Sequence, residues 1–328
     1  MSSVPARKMS DWTVEEEQRR RVQAAYLTDQ VGYVAIRVEA GSARLFDVRG
    51  TNVVLVDLPV KQPITGLAFR PRSPQWQGYE AAIAVGESMP SVQRCDLEKP
   101  SDEPRKLFMP RAHSVAYSHD GSMVAAGSTD GFLRVWRLIP QPQEILCVRD
   151  GFKCVTSVAF DCRKQLLLYT TGCTARFFKM PAIVERKTKG GDEEEQPKPS
   201  IRMVPYLTSS DGSDLDWDCY CIATHPTREL VALAGYGEGV YLHDRSGGPV
   251  RVLETGVGRY VRELKFVGQN QLLVVGQTGV GLWNLDPQFS RVNLVRSEAP
   301  NAGPPLSARQ YGDTVYVVRA TVVPQPVA

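Results

Sequence analysis

Long apolar runs are missing from this sequence. The longest, VVLVDLPV (53–60) and LLLY (166–169), fall far short of the roughly 20 residues that a membrane-spanning helix needs. Charge of one sign is lacking too. The 39 basic and 36 acidic side chains leave a net charge of +3, which argues against a polyelectrolyte binder, so no direct nucleic-acid contact is expected. Histidine is scarce: four residues are too few for an all-histidine metal centre. The seven cysteines are scattered and odd in number, and the first residues of the sequence show no apolar h-region. Together these predict reduced thiols and a cytoplasmic or nuclear protein. What is present is apolar bulk. At 42% hydrophobic residues, the chain can bury a sizeable core.

The stretch HSVAYSHDGSMVAAGSTDGFLRVWRL (113–138) alternates large apolar residues with smaller or polar ones, the pattern of half-buried strands. SHDGS and STDG supply the Asp-Gly turns that a tight meander requires. The layout recurs at 22–48, 64–97, 155–180, 221–245 and 261–285. Bulky or equivalent residues near the end of each third strand are Phe46, Cys95, Trp136, Phe178, His243 and Trp283, at intervals of 49, 41, 42, 65 and 40. First-strand anchors Leu27, Phe69, Tyr117, Phe160, Thr224 and Phe266 are spaced 42, 48, 43, 64 and 42. Both rulers give one period with one insertion. A period of 40–45 residues holding about four strands is the signature of a propeller blade, whose two apolar faces are covered only by its neighbours.

These repeats resemble WD40 repeats, most clearly at 113–138 and 261–285. In that family a tight-turn aspartate and a third-strand tryptophan, here Asp130 and Trp136, belong to a buried hydrogen-bonded set. The resemblance also marks Trp283, equivalent to Trp136, and Asp244, the aspartate of a Trp-Asp pair, as structural repeat positions. The Trp-Asp pair is degenerate, however, appearing as Trp136-Arg137, His243-Asp244 and Trp283-Asn284, and no copy has the Gly-His that precedes the first strand. The expected fold is an all-β propeller over 22–323. It is either seven-bladed with an incomplete or composite last blade drawn from 309–323, or a six-bladed open ring completed by a partner. Residues 1–21 are expected to form an N-terminal extension, a short helix or a disordered segment, with a charged insertion at about 181–206 and a tail at 324–328.

No catalytic, metal or cofactor constellation is expected. His119 and His225 fall in first-to-second strand turns, His243 in the third-strand slot, and His113 at the start of a first strand. Cys219 and Cys221, in DCYC, alternate along a strand and are read as facing one side of the core. DGSDLDWD (211–218) has acids at calcium-loop spacing, but the sixth position is Cys219 rather than glycine and the twelfth is His225 rather than an acid. GYGEG (235–239) joins two strands, whereas a phosphate cradle needs a helix N-terminus. GRYVREL lacks a paired-arginine phosphoinositide motif.

The suggestive residues precede successive first strands: Arg111, Phe152, Lys153, Trp217, Arg259 and Tyr260. Meander geometry places them on one rim, and arginine and aromatic residues dominate interface hot spots. The sequence therefore predicts a non-catalytic scaffold or adaptor within a multiprotein complex. It would hold other subunits on the rim loops and through the 181–206 insertion. The alternatives are an open-ring coat or nuclear-pore-like component and an exchange factor for a small GTPase.

Overall fold

The computed structural model describes residues 22–27, 33–38, 43–47, 55–57, 64–74, 76–86, 92–99, 101–151, 153–163, 166–171, 174–180, 203–204, 219–237, 239–244, 249–254, 256–285, 291–295, 302–311 and 314–321. The N-terminal helix signature, most of the 181–206 insertion, the acidic 211–218 run, Phe152 and Trp217 lie outside them.

All described regular structure is β. Six four-stranded antiparallel meanders follow one another along the chain. The first holds β1 (Val22–Leu27), β2 (Tyr33–Val38), β3 (Ala43–Asp47) and β4 (Leu55–Asp57). The second holds β5 (Ile64–Phe69), β6 (Glu80–Val85), β7 (Val92–Asp96) and β8 (Arg105–Leu107). The third is β9 (Ala112–Tyr117), β10 (Met123–Ser128), β11 (Phe132–Arg137) and β12 (Gln143–Arg149). The fourth is β13 (Ser157–Phe160), β14 (Leu166–Thr171), β15 (Thr174–Lys179) and β16 (Met203–Val204). The fifth is β17 (Cys219–Thr224), β18 (Leu230–Gly235), β19 (Gly239–Asp244) and β20 (Pro249–Glu254). The sixth is β21 (Val261–Val267), β22 (Gln271–Gly276), β23 (Val280–Asn284) and β24 (Arg291–Val295). A two-stranded sheet follows, β25 (Ala302–Tyr311) with β26 (Thr314–Thr321). First strands abut in chain order from β5 through β9, β13, β17 and β21 to β25, and β1 lies against β25. This radial succession is a β-propeller.

The two sequence rulers are one physical row. Phe69, Ala81 and Cys95 pair across the second sheet. Tyr117, Val124 and Trp136 do so in the third, and Phe266, Leu272 and Trp283 in the sixth. In each sheet the middle member is the second residue of the second strand. Cross-strand neighbours of this kind touch directly, so bulk on the outer strands is matched by a partner between them.

The second strands β6, β10, β18 and β22 are buried on both faces because each faces two sheets. Along β10, Val124 and Ala126 pack with Ala82, Ala84, Leu107 and Met109 of the preceding sheet. Met123 and Ala125 pack with Phe160, Leu167 and Phe178 of the following one. Each large apolar side chain so buried contributes roughly 1.5–3 kcal/mol. Gly281 makes room for one of them: a Cβ there would fall 2.2 Å from the Trp283 ring.

One junction is polar. Glu80, 4% exposed, accepts two hydrogen bonds from Arg94, Nε at 2.9 Å and Nη2 at 2.7 Å. It accepts a third from the Tyr117 hydroxyl of the neighbouring sheet, at 2.7 Å. Arg70 stands 3.7 Å from the same carboxylate and donates through Nε to the Gly121 carbonyl. The second and third sheets are thus joined by a buried ionic staple. Burial and the Glu80 charge push the Tyr117 phenol well above its usual range.

The Cys219/Cys221 reading needs correction. The pairing of β17 with β18 slips between these residues, a bulge that breaks the period-2 rule. Cys219 packs toward the fourth sheet and Cys221 toward the sixth. Both are buried core thiols on opposite faces.

Candidate functional site

In each meander the first and third strands run from one rim to the other, and the second and fourth return. The sheet-to-sheet loops and the second-to-third strand turns therefore share a rim. Arg111, Lys153, Arg259 and Tyr260 all lie on it, as the meander requires.

Arg111 adopts a left-handed backbone, φ 46°, and its carbonyl accepts the Thr129 amide at 3.0 Å. Its guanidinium reaches the Asp130 carboxylate at 3.3 Å, with the two side chains 66% and 33% exposed. Asp130 thus faces a rim arginine. The Trp136 ring is buried between the second and third sheets, and no hydrogen bond joins it to Asp130 among the described residues. Arg149 donates to the Asp130 carbonyl at 3.2 Å and lies over the Phe132 ring. Nearby, Asp150 is held by Arg176 at 2.6 Å and by the Tyr169 hydroxyl at 2.7 Å. Lys153 is exposed. Phe108, 57% exposed, opens the loop from β8 to β9 on the same rim.

The junction of the fifth and sixth sheets gathers more. An isolated bridge pairs Tyr236 with Tyr260. The Gly237 amide donates to the Arg259 carbonyl at 2.7 Å, and the Gln277 amide to the Tyr260 carbonyl at 2.9 Å. These bonds fix the loop before β21 against two neighbouring turns. The Tyr260 ring lies 5.6 Å from that of Tyr220, and the Arg262 guanidinium sits 5.1 Å from its centroid. Burial raises the Tyr260 phenol pKa. Tyr236 remains 56% exposed, and Arg259 and Arg262 are exposed. This is a rigid platform of three tyrosines and two arginines. Such groups bury large area at low entropic cost and can pair with an incoming carboxylate.

The sequence reading named Arg259 and Tyr260 but missed Tyr220, Tyr236 and Arg262. A signal existed: GYGEG puts a tyrosine in the second-to-third strand turn, where STDG puts only small and polar residues. Arg111 and Lys153 belong to the rim around the third sheet, away from this cluster. Asp244 and Trp283 sit at the end of β19 and inside the fifth–sixth sheet core, respectively.

On the opposite rim, His225 is a structural group. Its Nδ1 accepts the Arg228 amide at 2.9 Å and the Thr227 amide at 3.2 Å, so the proton is on Nε2, which donates to the Gln269 carbonyl at 3.1 Å. His119 Nε2 donates to the Thr224 hydroxyl at 2.9 Å, because that hydroxyl itself donates to the Phe160 carbonyl. Both rings are used in turn geometry.

Residues 110–137 match the family model of the WD domain, G-beta repeat. The match spans β9 to β11, the first three strands of the third sheet. No curated protein sequence matches the chain. WD40 domains mediate protein–protein interactions and are generally non-catalytic. Among the described residues there is no helix long and apolar enough to cross a membrane.

Proposed function

Since the chain belongs to the WD40-repeat family, we propose that it is a non-catalytic adaptor of a multiprotein complex, gripping a partner subunit on the rim that carries Tyr236, Arg259, Tyr260 and Arg262. The observation that carries this reading is the tyrosine–arginine platform between the fifth and sixth sheets. Its loops are pinned by backbone hydrogen bonds while Tyr236 stays largely exposed. A pre-ordered patch loses little entropy on binding. Arg111, Lys153 and Phe108 extend the grip around the third sheet. The rim side chains are mainly basic, and Asp130 and Asp150 are already paired, so the platform suits a segment that combines acidic and aromatic residues.

The test is native affinity purification with mass spectrometry, comparing wild type with Tyr236→Ala/Arg262→Ala. The reading requires partners that co-purify with wild type and are lost from the variant. A chain that purifies alone, or a variant that keeps every partner, refutes it. A second reading, an open-ring coat-like component, is favoured by the two-stranded β25–β26 sheet, whose outer edge pairs with no described strand. It predicts that co-expression with the strand-donating partner raises the stability of the isolated chain markedly.

A further inference from the structure

The first strands surround a central cavity of about 570 Å³, a volume that suits a small ligand. Two rings of its wall are set by the repeat. Leu67, Val115, Val158, Ile222 and Leu264 each pair with the fourth residue of their sheet's second strand. They make one ring apolar throughout. Opposite the third residue stand Ala68, Ala116, Ala159 and Ala223, and in the sixth sheet Lys265. All ten line the cavity. A methyl group satisfies this position in the second to fifth sheets, so the long amine of the sixth is not a demand of sheet stacking.

Lys265 therefore sets one primary amine in a mainly apolar wall. The other ionisable groups that matter there are Arg309, Glu263 and, at a turn, His119. Arg309 contacts the Glu263 carboxylate at 2.5 Å, and the Ser307 hydroxyl donates to it at 2.7 Å. Burial, reinforced by the Arg309 charge, drives the Lys265 amine well below its ordinary range. A lysine desolvated beside a second cation is the form that attacks carbonyl carbon. Attack uses the nitrogen lone pair, so hydrogen bonds that the amine donates to its neighbours do not prevent it. An ordinary lysine, with a pKa of about 10.4, is neutral in only about one molecule in 2,500 at pH 7.

We propose that Lys265 captures a small aldehyde with an apolar body inside the central cavity, as an imine. The Nζ lone pair forms a bond to the carbonyl carbon, and one amine proton passes to the carbonyl oxygen. The resulting carbinolamine loses that oxygen as water, with the second amine proton, and a C=N bond remains. One aldehyde is consumed and one water released, with no oxidant or reductant. A carbonyl carbon that bears a hydrogen crowds the alanine ring least, which favours an aldehyde over a ketone. The apolar ring holds the aldehyde's body and excludes the water that would hydrolyse the imine. This capture is stoichiometric and goes beyond the rim reading without depending on it.

The test treats the full chain with limiting butanal, traps the imine with sodium cyanoborohydride, and locates the butyl adducts by peptide mass spectrometry. At about pH 8, Lys265 should be labelled at least about tenfold faster than any exposed lysine. Raising the pH from about 8 to about 9 multiplies the neutral fraction of ordinary lysines about tenfold, so the advantage of Lys265 should shrink by about that factor. In the urea-unfolded chain the advantage should vanish. Both comparisons use the wild-type chain, so they stand even where a variant does not fold. Lys265→Ala, which installs the residue of four other sheets, should lose the fast adduct and leave partner capture on the rim unchanged, so the two readings fail independently. Labelling of Lys265 no faster than that of exposed lysines, an advantage that persists in urea, or one that is the same at both pH values overturns the proposal.

Discussion

Glu80 is the sharpest test of how adjacent sheets are joined. It accepts three hydrogen bonds, two from Arg94 and one from Tyr117, in a junction where Glu80, Arg94 and Arg70 are 4%, 2% and 2% exposed. Glu80→Ala leaves two guanidinium groups buried without their carboxylate, and breaking a buried pair in this way costs about 3–5 kcal/mol. Tyr117→Phe removes one hydrogen bond to a charged acceptor, worth about 1.5–3 kcal/mol. Arg111→Ala is the contrast. It breaks an exposed pair, worth about 0–1 kcal/mol, and leaves the left-handed backbone with a non-glycine residue as before. Equilibrium urea unfolding should rank the three losses in that order. Against a total stability of about 5–15 kcal/mol, Glu80→Ala consumes a large share. A loss below about 1 kcal/mol for Glu80→Ala would show that the junction is solvated and the reasoning wrong.

Three further outcomes are expected. Gly281→Ala should destabilise by about 1–3 kcal/mol in urea unfolding, because the added methyl overlaps the Trp283 ring in a filled core. Acidification should destabilise through His225, whose folded pKa is lowered from 6.5, chiefly by burial. The neutral ring's contribution is complete above 6.5 and is lost as pH falls through the lowered value. Urea midpoints measured across this range should show the loss, and His225→Asn, whose carbonyl can still accept turn amides, should flatten it. Lys265 acts in the opposite range. Its lowered pKa makes the unfolded chain bind more protons between the folded and ordinary values, so stability should rise with pH there, and Lys265→Ala should abolish that rise.

The repeat was legible because stacking sheets impose the same demand six times. Tyr117, Val124 and Trp136 form a row that recurs with different side chains, so even Cys95 and His243 could be placed by spacing. Positions that break local period were not legible. The bulge between Cys219 and Cys221 is set by pairing with β18 and reverses the expected facing of one thiol. β25 begins at Ala302, seven residues before the predicted start at 309, and takes in Pro304 and Pro305. The strand absorbs them where its register with β26 shifts, as prolines are tolerated at bulges. The rim was legible as a place, from loop order alone. Its chemistry was only partly so, since Tyr220, Tyr236 and Tyr260 come from three separate segments that only the ring brings together.

The most direct measurement is site-specific photo-crosslinking in the native complex. A photoreactive residue replaces Tyr236 on the platform and, separately, Gln269 on the opposite rim. The partner subunit should crosslink to position 236 and not to 269. Crosslinks at 269 with none at 236 would contradict the assignment of the tyrosine–arginine rim as the surface that holds other proteins.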